Sequence, residues 1–176
     1  MKKLFITLVI TGLFASIAPA FSQKHEYKGI KNFPVDSSTH LISYVGVIEA
    51  PGATKAQLYA RTKAWLATRY NSAKAVIEVD DPENGQLIGQ GRIPFRNVAT
   101  GSPASYPHTL KFRFKDGRMR YEITQIREEE VPLERVIPAN PVSKKIYDTW
   151  WERLNTIFID LTKDLQASIV KPEADF

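Results

Sequence analysis

Between Leu110 and Glu122 the sequence sets a cation at every second position: Lys111, Arg113 and Lys115, then Arg118 and Arg120 beyond Asp116-Gly117. Leu110, Phe112 and Phe114 alternate with the first three. A period of two is that of a strand whose successive side chains point to opposite faces, and Asp-Gly between two such runs is a two-residue hairpin signal, here read as type I′. Pairing across that turn predicts Phe114 opposite Met119, Phe112 opposite Tyr121, Leu110 opposite Ile123 and Lys111 opposite Glu122. Arg113 then faces Arg120 and Lys115 faces Arg118, so one hairpin face is apolar and the other sets five cations against Glu122. Guanidinium forks suit phosphate and carboxylate groups. Lys111, Arg113, Lys115, Arg118 and Arg120 are therefore the candidate anion-binding residues, and an acidic polymer is the partner they fit; the same charges also keep a hairpin soluble and unpaired with neighbouring strands. No aromatic side chains interleave on this face for base stacking, which argues against nucleic acid.

Other chemistry has no constellation to carry it. His25, His40 and His108 lie apart, in a leader, at a strand start and beside Pro107, and read as exposed or incidental. Asp80, Asp81 and Glu83 surround a turn but lack the alternating ligand order and bidentate glutamate of an EF-hand loop. Glu128-Glu129-Glu130 reads as a solvated strand end, because blocks of like charge repel. Gly89-Gln90-Gly91 lacks the third glycine and opening helix of a dinucleotide loop, and marks instead a strand over which a helix packs closely. The sequence holds no cysteine, which excludes disulfides, cysteine zinc sites, iron–sulfur clusters, thiol catalysis and lipid attachment at an N-terminal cysteine. No nucleophile elbow, zinc-binding helix or Walker loop is present. No catalytic, cofactor-binding or metal-ligating residue is assigned, and the chain is read as a non-enzyme.

The elements that would position the hairpin follow from periodicity. Phe33 to Ser38 is an extended entry and turn, and His40–Glu49 a first strand rich in β-branched and aromatic residues, stopped by Pro51-Gly52. Thr54-Lys55-Ala56-Gln57 is a capping-box pattern opening a helix whose stripe is Leu58, Tyr59, Trp65, Leu66 and Tyr70, and whose exit is Asn71-Ser72. A second strand runs through Ala75, Ile77 and Val79, and a third covers Gln86–Phe95. Asn97–Pro107, with its glycine, serines and prolines, reads as a loop, and Val131–Pro141 as a linker. Ser143 is the expected N-cap of a last helix with Ile146, Trp150, Leu154, Ile157, Phe158, Leu161 and Leu165 at three- and four-residue spacing, long enough to span a sheet. This helix is expected to bury against Phe112, Phe114, Tyr121 and Ile123.

The chain of 176 residues is 43% hydrophobic and 24% charged, the balance of one globular domain. Lys2 and Lys3, the uncharged run Leu4–Ala18 and the small-residue exit Ala18-Pro19-Ala20-Phe21-Ser22 have the three-part pattern of a secretory signal peptide over residues 1–22. The apolar run is shorter than the ~20 residues that span a bilayer, so the chain is expected not to be a transmembrane protein. Cleavage after Ser22 takes two positive charges off the formal +5. A flexible leader (23–32), a single α+β domain (33–171) and a C-terminal tail (172–176) follow. The expected route is the general secretory one, to the periplasm or outside the cell and not as a lipoprotein.

Phe33-Pro34, the strand with Tyr44, Pro51-Gly52, Leu58-Tyr59 followed by Trp65-Leu66, Val76-Ile77 and Gly89-Gln90-Gly91 together resemble exported bacterial proteins of a domain-of-unknown-function family with a TBP-like fold. The resemblance covers about residues 33–91 and leaves the basic hairpin and last helix outside it. It implies an α+β fold: an antiparallel curved sheet in β-α-β-β-β-β-α order gripping a long C-terminal helix, in the helix-grip manner. It implies no activity and no site residue. On this reading the protein is an exported, non-catalytic binding module for a small ligand or peptide held between sheet and helix in the cell envelope. The alternatives are an interaction protein that docks an envelope protein partner through Tyr147 and Trp151 of the last helix, and a weak anion-binding surface on the basic hairpin.

Overall fold

The computed structural model describes residues 29–96, 101–136 and 140–170. The signal peptide read at 1–22, the leader up to residue 28 and the tail from 172 lie outside the described residues, as do 97–100 of the expected loop and 137–139 of the expected linker. In chain order the elements are β1 (Tyr44–Glu49), α1 (Lys55–Arg69), α2 (Ala73–Val76), β2 (Ile77–Asp81), β3 (Gln86–Arg96), β4 (Pro103–Lys115), β5 (Arg118–Thr124), β6 (Arg127–Glu128), β7 (Val131–Pro132) and α3 (Pro141–Val170). The first five strands form one antiparallel sheet in the order β1-β5-β4-β3-β2. To the expected order the structure adds the single turn α2, the β6–β7 ribbon and 3-10 turns at Gly29–Asn32 and Leu133–Arg135.

The local signals act where the sequence puts them, with five corrections, the first being that strand one starts at Tyr44 rather than His40, which is left-handed (φ 57) in a turn where its amide donates to the Asp36 carbonyl. The capping box is formed: the Gln57 amide donates to Thr54 Oγ1 at 3.2 Å, and the Thr54 amide donates to Gln57 Oε1 at 2.9 Å. Asn71 takes the left-handed conformation (φ 60) that ends α1. Ser72 Oγ then accepts from the Ala75 amide and caps α2, so the second strand starts at Ile77 rather than Ala75. The stretch 103–107 is not loop but the first part of β4, paired with β3 through Arg96↔Pro103 to Arg92↔Pro107. Its prolines are tolerated because Pro103, Pro107 and Pro94 share one pairing parity, and their missing N–H groups fall on sides where β5 and β2 have already ended. Part of the expected linker pairs instead: β7 returns onto β6, and the Leu133 amide donates to the Ile126 carbonyl at 2.9 Å. Asn140, not Ser143, caps α3; its Oδ1 accepts from the Ser143 amide at 2.9 Å, with Pro141 in the first helical position, where no N–H is needed.

Both long helices lie on the sheet face made by the even-numbered residues of β4. Trp65 and Tyr59 of α1 stand edge-on to Phe112 and Phe114 at 6.3 and 5.0 Å between ring centroids. Phe158 of α3 stacks on Tyr44 at 5.3 Å and meets the His108 ring edge-on at 5.2 Å. The two helices thus divide the face, and Phe112 and Phe114, expected under the last helix, are met by α1. They are tied to each other by Trp65 Nε1–H to Asp164 Oδ2 (2.8 Å) and by Arg61 Nη1–H to the Ile169 carbonyl (2.9 Å). Trp150, Trp151, Leu154, Phe158, Leu161, Leu165 and Ile169 are buried along α3, whose 30 residues run about 45 Å. The last residues of the predicted flexible leader, 29–32, are held on this helix: the Gly29 amide donates to Asp148 Oδ1, and Asn155 Nδ2 donates to the Asn32 carbonyl. On the opposite face Val45, Val47, Arg113, Lys115, Arg118 and Arg120 are exposed, while Thr109 and Thr124 farther along the same strands are buried.

Candidate anion-binding face

The hairpin register is the predicted one, from Thr109↔Thr124 to Lys115↔Arg118, and it sets Arg113 directly opposite Arg120 on the exposed face. The turn that fixes it is not type I′. Gly117 has φ 75, but Asp116 stays outside the left-handed region that type I′ requires of both central residues. Tertiary contacts hold the turn: Asp116 Oδ1 accepts from the Lys55 amide at 2.6 Å in the first turn of α1, and Gly117 donates to the Ala53 carbonyl while accepting from the Ala50 amide. An aspartate on the free amides of a helix N-terminus is favourable in its own right, so the tip of the basic hairpin is anchored to α1.

Across the sheet the pairings line up Val47, Arg120, Arg113, Gln86 and Asp81 in one row, and Val45, Glu122, Lys111, Ile88 and Val79 in the next. Arg113, Lys115, Arg118 and Arg120 are exposed and Lys111 is half-buried. Glu122 Oε1 lies 3.9 Å from Lys111 Nζ; Arg113, Lys115, Arg118 and Arg120 have no carboxylate partner among the described residues. A shallow depression of about 450 Å³ between Gln86, Ile88, Lys111, Arg113, Arg120 and Glu122 gives the two guanidinium groups a common space to face. Like charges directly opposite across strands are destabilising by a few tenths of a kcal/mol, which an anion between them would reverse.

The other sequence-predicted groups are absorbed locally. Asp80 accepts from the Tyr59 hydroxyl and from Lys63 Nζ (2.7 Å), and Lys63 followed by Tyr59 holds its carboxyl below the usual range. Asp81 accepts from the Asn84 amide and side chain, which hold its carboxyl low as well. Glu128 is half-buried rather than solvated, and burial, then the neighbouring Glu129, pushes its carboxyl up. Tyr147 and Trp151 are not surplus aromatics: Trp151 is 2% exposed and edge-on to Phe33, and Tyr147 packs against Trp150 and Trp151. The seam between α3 and the sheet is filled by these and the leucines beneath them.

Sequence reasoning missed one buried polar pair. His108 is fully buried, not exposed or incidental; its Nδ1–H donates to the Tyr106 carbonyl at 3.0 Å, leaving Nε2 to accept from the Tyr70 hydroxyl at 2.8 Å. Burial pushes the ring down to about 4, so it stays neutral, and burial pushes the Tyr70 hydroxyl up. Gly91 makes the pair possible, since a Cβ there would stand 2.8 Å from Tyr70 Oη and run into His108 Nε2. Gly89 fits the expectation of helix packing: a Cβ would meet the Val76 carbonyl of α2 at 2.7 Å. The signal for His108 was its even-numbered place among Leu110, Phe112 and Phe114, once the strand is extended back through the prolines. No group of three or more histidine, aspartate or glutamate side chains converges among the described residues.

An antiparallel five-stranded sheet with helices on one face and a long C-terminal helix is the TBP-like fold. Residues 44–129 match the model of the family described as "Domain of unknown function (DUF4468) with TBP-like fold". The match begins later than the residues that suggested it and runs through the basic hairpin, which therefore lies inside the matched stretch, while α3 lies beyond it. Among solved structures, the chain is similar to a DUF4468 family protein from Bacteroides ovatus at 16% identity, covering 84% of this chain and 99% of that one with a TM-score of 0.59. A TBP-like protein from Parabacteroides distasonis aligns at 14% identity over 75% of this chain and 97% of its own, with a TM-score of 0.49. No curated protein matches the chain.

Proposed function

We propose that the protein is an exported, non-catalytic binding module whose exposed sheet face holds an anionic polymer, with Arg113 and Arg120 as the central contacts and Lys111, Lys115 and Arg118 around them. The observation that carries this reading is the Arg113–Arg120 pair, set directly opposite each other on an exposed face, neither in an ion pair among the described residues. A ligand lodged between helix and sheet is disfavoured by the filled seam, and docking through Tyr147 and Trp151 by their engagement inside the chain. Export rests on the pattern of residues 1–22, and it would bring the face to acidic polysaccharides and glycolipids of a cell envelope. No helix among the described residues is long and apolar enough to cross a membrane.

Heparin chromatography at low salt tests the reading. The wild-type protein should be retained and should elute as salt rises, because the attraction is between exposed charges that salt screens. Arg113→Glu with Arg120→Glu should pass unretarded with its circular dichroism unchanged. Wild-type protein that passes unretarded would reduce the patch to a solvated strand face.

A further inference from the structure

We propose that β1 is a pairing edge through which two copies of this chain join their sheets. The sheet has two edges, β1 and β2. β2 is guarded: it carries Glu78, Asp80 and Asp81, and its register shifts between Ile77 and Val79, two devices that discourage strand addition. β1 has neither lysine, proline nor bulge, and reads Tyr-Val-Gly-Val-Ile-Glu.

The free hydrogen-bonding groups of β1 can be assigned by parity. The Ala50 amide donates to the Gly117 carbonyl at 2.8 Å, so Tyr44, Gly46, Ile48 and Ala50 turn their N–H and C=O groups toward β5. Val45, Val47 and Glu49 turn theirs away from the sheet. Ser43 confirms the alternation, since its outward amide donates to the Pro34 carbonyl at 2.9 Å, and the Val35↔Ile42 bridge covers the edge up to that point. From Val45 to Glu49 the outward groups have no partner among the described residues, and the Val45 and Val47 side chains are 44% and 56% exposed.

This free stretch is its own complement. It is bounded by the Pro34–Val35 segment on one side and the Pro51-Gly52 turn on the other, and its centre is Val47. A second copy laid antiparallel about a two-fold axis at Val47 sets Val47 against Val47 of the other copy and Val45 against Glu49, all at outward parity, so free N–H groups meet free C=O groups throughout. Like parity also keeps the helices of both copies on one side and both basic hairpins on the other, and the exposed valines form an apolar strip across the seam. The argument owes nothing to the anion-binding reading, and its test reads mass, so either can fail alone.

Sedimentation velocity of the purified protein over a range of concentrations decides it. Pairing over so short an edge predicts a weak dimer that builds up with concentration. Val47→Lys sets two lysines against each other at the two-fold axis and should raise the dimer dissociation constant by at least about tenfold; Val47 is exposed in the single chain, so its fold should be kept. Val79→Lys, on the guarded edge, should leave the dimer unchanged. A wild-type protein that stays monomeric at every concentration, or a dimer that survives Val47→Lys, would overturn the proposal.

Discussion

Replacing His108 with glutamine should remove an acid sensitivity that the wild-type fold carries. In the folded chain the ring is fully buried, bonded through both nitrogens and held down at about 4, against 6.5 for the free side chain. Well above pH 6.5 the ring is neutral whether the chain is folded or not, and it contributes no pH dependence. Between there and about pH 4 the unfolded chain takes up a proton that the folded chain refuses. The unfolded state then binds more protons, so stability falls as the pH falls through this window. A difference of roughly 2.5 pKa units at about 1.36 kcal/mol each amounts to about 3 kcal/mol across the window. Glutamine does not titrate and still offers an acceptor to Tyr70. Urea unfolding followed by the fluorescence of Trp65, Trp150 and Trp151, all buried in the fold, gives the stability of each protein at a series of pH values. The wild type should lose about 3 kcal/mol more than His108→Gln between the two ends of the window. Parallel profiles for the two proteins would refute the neutral buried ring, whatever the baseline difference between them.

Leu154→Ala should destabilise by about 2–5 kcal/mol in urea, because Leu154 is fully buried between α3 and the sheet; a loss under about 1 kcal/mol would mean that the seam is not packed as described. Gly91→Ala should lower the melting temperature and break the Tyr70–His108 bond, since the new methyl has no room beside Tyr70 Oη; an alanine variant as stable as wild type would contradict the close approach.

The hairpin was legible to the residue because its two periodicities and its turn are local, and pairing across a two-residue turn leaves one register. The type of that turn was not legible: Asp116 is claimed by the N-terminus of α1, sixty-one residues earlier in the chain, and no local pattern announces such a contact. The same holds for Pro103 and Pro107, which signal a loop to any local reading and are admitted to β4 only because β5 ends at Thr124. Tyr147 and Trp151 looked surplus because the stripe of α3 was drawn for one contact surface, while the helix also meets Phe33 and the 3-10 turn before it. The basic face itself was readable as a set of residues. What periodicity could not give was its surroundings: which strand lies at the edge, and that the helices gather on the other face.

The most direct test of the anion-binding face is the affinity of a fluorescently labelled acidic oligosaccharide for the wild-type protein and for Arg113→Glu with Arg120→Glu, measured by anisotropy as salt is raised. Binding by the wild type that weakens steadily with salt, and its absence in the double variant at every salt concentration, is the predicted result. Equal affinity in the two proteins would place any anion site elsewhere on the molecule and contradict the account.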